Sequence, residues 1–162
     1  MFFQNIGEMM NFDQKIGIFD FILVKIIKKH LKNHKKPRNS RTGTLNDPSK
    51  IKEELIVVLS LVAQTSDDTD HANLLFKEAA APFFENAALI PMHEISIARL
   101  NQSIKKLFTT DFKLRQRILE GSAHMILSDK VVTWKEREIL RAIGDALDCP
   151  IPALMTDPSS AH

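Results

Sequence analysis

The chain has 162 residues, 44% hydrophobic and 26% charged, with a formal net charge of +2 at pH 7. Those values suit a single globular domain with its own core and exclude a largely disordered chain, while the charge is too small to name a partner. Cys149 is the only cysteine, which excludes an intramolecular disulfide framework and a thiolate metal cluster and fits a reducing compartment.

The first residues, Met1-Phe2-Phe3, lack the order of a signal peptide. Phe3, Ile6 and Met10 already stand at helical spacing with no cap before them, the pattern expected of a chain cut from something longer. Phe19, Ile22, Leu23, Ile26, Ile27 and Leu31 then make the stripe that a helix buries. The most apolar stretch, Ile16 to Ile27, is interrupted by Asp20 and Lys25 and falls short of the roughly 20 residues that cross a bilayer. A basic and polar linker is expected over 34–47, with Pro37 and Gly43 inside it.

Asp47-Pro48 reads as an N-cap followed by a first-turn proline, opening a helix through Ile51, Leu55, Val58, Leu59 and Val62. Ser66-Asp67-Asp68 starts the next, leading into Leu74, Leu75, Phe76 and the alanines before Pro82. A further helix is expected after Pro91, burying Ile95, Ile97, Leu100, Ile104 and Leu107, and another from Thr110-Asp111 with Phe112, Leu114, Ile118 and Leu119. Thr133 and Glu136 form a capping box for the last, whose stripe is Ile139, Leu140, Ile143 and Leu147. Pro150 and Pro152 are expected to end it, and 156–162 to be a loose tail. No segment alternates with a period of two, so the expectation is all-α: one compact bundle of about six or seven helices over 1–155.

One pattern occurs twice, each time where two helices are expected to meet. Asp13-Gln14-Lys15-Ile16-Gly17-Ile18-Phe19-Asp20 and Asp129-Lys130-Val131-Val132-Thr133-Trp134-Lys135-Glu136 both run acid, two spacers, β-branched apolar, small, two spacers, acid. Asp13, Asp20, Asp129 and Glu136 are therefore candidate ligands for a divalent cation, which takes carboxylate and carbonyl oxygens. Neither copy has the alternating acids, central glycine and closing glutamate of an EF-hand loop, and the plainer reading is that these acids cap helices and complement helix dipoles. No other cofactor is expected.

The run from Lys28 to Arg41 carries only basic charges, with Lys28, Lys29, Lys32, Lys35, Lys36, Arg38 and Arg41 as candidate contacts to anionic lipid headgroups or nucleic-acid phosphates. It holds no aromatic residue to stack bases and no reading motif, which disfavours nucleic acid. A solvated helix end explains it more simply. His30 and His34 share a helix face, but Leu31 stands where a zinc protease carries its glutamate base; His93-Glu94 begins like HExxH, but Ile97 replaces the second histidine. His71 and His124 stand alone and read as structural. Trp134 and Phe19 occupy equivalent places in the two repeats, where burial beside a helix start is expected and an interaction anchor is the alternative. Cys149 has no neighbouring cation or base in the sequence to activate it, so no nucleophile is assigned.

Ser128-Asp129-Lys130-Val131-Val132-Thr133, Glu136 to Ile143 and Ala146-Leu147-Asp148-Cys149-Pro150-Ile151-Pro152, within Leu119 to Leu154, resemble the C-terminal region of bacterial membrane-bound zinc metallopeptidases of the CAAX-endopeptidase and HtpX-like type. The segment Asp13 to Asp20, with the helix running to His30-Leu31, is similar to an upstream part of the same region, as is the helix at 50–65. The resemblance implies a helical, TerB-like fold that follows transmembrane helices and an HExxH zinc domain. Both of those are missing from this sequence, so peptidase activity is not carried over. It implies instead an accessory domain at the cytoplasmic face of the inner membrane, whose partner is the catalytic or membrane part of such a peptidase. Family members commonly place glycine after the acid of the second junction, where this chain has Lys130. That lysine suits a left-handed turn less well and competes with a bound cation.

Overall fold

The computed structural model describes residues 44–66, 68–128 and 131–151, all within one unit of the chain, Ser40–His162. Among them run five α-helices: α1 Lys52–Ala63, α2 Thr69–Ala80, α3 Ile97–Leu107, α4 Phe112–Leu127 and α5 Trp134–Leu147, with 3-10 turns at Pro48–Ile51 and Met92–Glu94. The all-α expectation holds, with five α-helices among the described residues; the two helices expected before residue 34 lie outside the described residues, as does the tail 156–162. No strand occurs among the described residues, only an isolated bridge between Leu45 and Thr110.

The helix starts follow from local chemistry. Asp47 accepts from the Ser49 amide at 3.0 Å and its hydroxyl at 2.7 Å, which hold the Asp47 carboxyl below its ordinary range. The turn it caps is a 3-10 turn that runs directly into α1. Asp68 caps α2, Ser96 caps α3, Asp111 caps α4 and Thr133 caps α5 through side-chain oxygens that accept otherwise orphaned backbone N–H groups. Ser96, not Pro91, starts α3; Pro91 leads only into the short turn Met92–Glu94. Ile95 is buried before α3 begins and Ile97 is half-exposed.

Helix α1 is the centre of the bundle and packs against α2, α3, α4 and α5. Leu55 and every residue from Val57 to Ala63 are buried, so it is enclosed all round and shows no single stripe, as a helix that is apolar on every side requires. By contrast α2 buries Ala72, Leu75, Phe76, Ala79 and Ala80, a single face with spacings of three and four. Leu74 falls off that face and is 53% exposed. Phe112 is likewise exposed at the start of α4.

A long irregular connection joins α2 to α3 and is clamped to α1 by two polar side chains. Ser60, fully buried, accepts from the Ile90 amide at 2.9 Å, and the Gln64 side-chain amide donates to the Ile90 carbonyl at 2.8 Å. Both backbone groups of Ile90 are thereby satisfied, as buried groups must be. Nearer the start of the connection, Arg117 lies over the Phe83 ring at 4.9 Å and Lys52 over Phe84 at 5.5 Å.

Helices α4 and α5 pack together, and a buried arginine ties their far ends. Arg115 Nη1 donates to the Leu147 carbonyl at 2.7 Å, satisfying an orphan acceptor at the C-terminus of α5. The helix ends there because Asp148 takes a left-handed conformation with φ 52°, ahead of the prolines expected to stop it. The chain then turns back over Gly144, where an added Cβ would come within 3.1 Å of Ile151 Cγ1 and 3.3 Å of the Cys149 carbonyl.

Candidate functional site

The α4–α5 junction contains the one candidate metal ligand among the described residues, Glu136. Thr133 N and Thr133 Oγ1 each donate to Glu136 Oε2 at 2.8 Å, and the Glu136 amide returns a bond to Thr133 Oγ1 at 3.2 Å. The capping box expected from the sequence is thus complete. Thr65 Oγ1, just beyond the end of α1, lies 3.5 Å from Glu136 Oε1. Glu136 is 7% exposed, and one of its oxygens is committed to the cap.

Asp13, Asp20 and Asp129 lie outside the described residues, as do Lys28, Lys29, Lys32, Lys35, Lys36, Arg38 and Arg41. Among the described residues no three His, Cys, Asp or Glu side chains gather as a metal site would require. No helix among them is long and apolar enough to cross a membrane. His93 sits on the short turn Met92–Glu94 and faces Glu94 at 3.8 Å, both well exposed; a 3-10 turn does not present the paired face of an HExxH helix.

Two features depart from the sequence reading. Trp134, expected to be buried, is 71% exposed, and Val131, three residues earlier, is 68% exposed. The polar half of the junction turns inward through Glu136 toward Thr65, leaving the aromatic outward. No model of a known protein family, no curated protein and no solved structure matches this chain.

Cys149 is the second departure. Burial pushes its thiol above the ordinary value, opposed by the positive charge of Arg115, a cation its sequence neighbours did not disclose. Its Sγ lies 3.6 Å from the Leu147 carbonyl, the same oxygen that Arg115 binds. A buried thiol whose pKa is raised is a poor nucleophile. The signal for Arg115 was weak in the sequence, because its partner lies 32 residues away.

Proposed function

We propose that this chain is a non-catalytic, TerB-like accessory module that works through protein contacts. The partner is the catalytic or membrane part of a bacterial zinc metallopeptidase, met at the cytoplasmic face of the inner membrane. The observation that carries the reading is the exposure of Trp134. A tryptophan gains much from burial, yet here it stands in water on a junction held by a capping box. Rigid, exposed aromatics are the residues that dominate binding energy at interfaces. Val131, also exposed, precedes it by three residues, and Arg137 and Arg141 follow along α5 at spacings of three and seven residues from Trp134, a composition that interfaces favour. The resemblance of 119–154 to peptidase tails supplies the class of partner.

The test replaces Trp134 with a photoreactive phenylalanine analogue and irradiates the chain with membranes containing the metallopeptidase. An adduct carrying an HExxH zinc domain supports the reading; no adduct, or adducts only with other proteins, contradicts it. Zinc-dependent peptide hydrolysis by the purified chain would also overturn it.

A further inference from the structure

Helices α3 and α4 meet at a turn whose surface combines exposed aromatic rings with cations. Phe108 is 38% and Phe112 45% exposed, and both rings rest on the guanidinium of Arg115, at 5.0 and 5.9 Å from its central carbon. Arg115 is itself 4% exposed, so the rings are propped outward from below. Lys105 and Lys113 flank them and are exposed. The acid of this turn, Asp111, accepts from the Leu114 amide at 2.7 Å to cap α4, and Glu54 nearby is paired with Lys106 at 2.7 Å. The exposed side chains between 105 and 113 are Lys105, Lys106, Phe108, Thr109, Phe112 and Lys113, with the Asp111 carboxylate half-buried in the cap.

The isolated bridge holds this turn in place. Leu45 N donates to the Thr109 carbonyl at 3.5 Å and Asp111 N donates to the Leu45 carbonyl at 2.9 Å, pinning the incoming chain to this same turn.

We infer that the α3–α4 turn is a peripheral membrane-binding surface for anionic lipid. Phe108 and Phe112 enter the interfacial layer while Lys105 and Lys113 meet the negative headgroups. Lipid is favoured because two apolar rings with exposed lysines on either side match a hydrocarbon boundary beneath anionic headgroups. The surface lies at the opposite end of α4 from Trp134, which the 16 residues of that helix set at roughly 24 Å. Its failure would leave the protein-docking reading intact, and the reverse also holds.

The test is flotation of the full chain with phosphatidylcholine vesicles, with and without phosphatidylserine, at low and high salt. Binding is expected only with phosphatidylserine and weakens as salt rises. The Lys105→Glu/Lys113→Glu pair, at exposed positions where folding is not at stake, lowers affinity by at least about tenfold. Phe108→Ser/Phe112→Ser lowers it by about tenfold at unchanged helical circular dichroism. The emission of Trp134, the one tryptophan in the chain, stays water-like in the bound state. The inference is overturned by no vesicle binding, by binding indifferent to the lysine pair, by a blue shift of Trp134 on vesicles, or by binding to single-stranded RNA in place of vesicles.

Discussion

Removing the Thr133 hydroxyl perturbs the junction that presents Trp134 without touching the core. Thr133→Ala loses the Glu136 amide bond at 3.2 Å and the hydroxyl bond to Oε2 at 2.8 Å, while the Thr133 amide bond to the same oxygen survives. One orphan donor of α5 is left to water, and the cost should be about 1 kcal/mol, or a Tm lower by about 2–4 °C for a chain of this size. Glu136→Ala removes the reciprocal half as well, together with the approach to Thr65, and opens a space at a site only 7% exposed; it should cost about 2–3 kcal/mol. Glu136→Gln keeps an acceptor at the same place and should stay within about 0.5 kcal/mol of the parent, since the box accepts either residue. Chemical denaturation of the three variants, read by circular dichroism, gives the order directly. The reasoning fails if Thr133→Ala is neutral, or if Glu136→Gln is as damaging as Glu136→Ala.

Ser60→Ala should cost about 1–2 kcal/mol and speed amide exchange at Ile90, because the buried hydroxyl is the acceptor for that N–H; unchanged exchange at Ile90 would rule out the clamp. Gly144→Ala should destabilise by about 1–3 kcal/mol, since Ile151 Cγ1 at 3.1 Å and the Cys149 carbonyl at 3.3 Å from the new methyl must both yield, and a denaturation midpoint at or above that of the parent would contradict the packing. For Cys149, burial raises the folded thiol pKa. Its contribution to stability is therefore complete below the unfolded thiol value and is lost as pH rises toward the folded one. Cys149→Ser should flatten that alkaline decline, and an identical pH profile in the variant would show that Cys149 does not cause it.

Much of the fold was legible because caps are local. Asp47-Pro48, Asp68, Asp111 and the Thr133–Glu136 box each settle a helix start with atoms at most three residues apart. What could not be read depends on distant neighbours. Pro91 looked like a helix start because a proline suits a first turn, but Ser96 supplies the oxygen that the Arg99 amide needs. Residues of α1 outside its expected stripe, such as Val57 and Leu61, are buried because four helices surround it, which its own period cannot disclose. The same holds at the candidate sites. Glu136 was read correctly as a capping acid, yet the exposure of Trp134 depends on where the end of α1 meets the junction. Arg115 is buried because it caps a different helix, 32 residues on, which its own segment does not disclose.

The central claim is that Trp134 is an anchor kept free for a protein partner, and its own fluorescence tests this most directly. Acrylamide should quench it nearly as well as free indole in the isolated chain, and adding the detergent-solubilised zinc metallopeptidase should shield it saturably. A tryptophan already shielded in the isolated chain, or one equally quenched with the peptidase present in excess, would contradict the account.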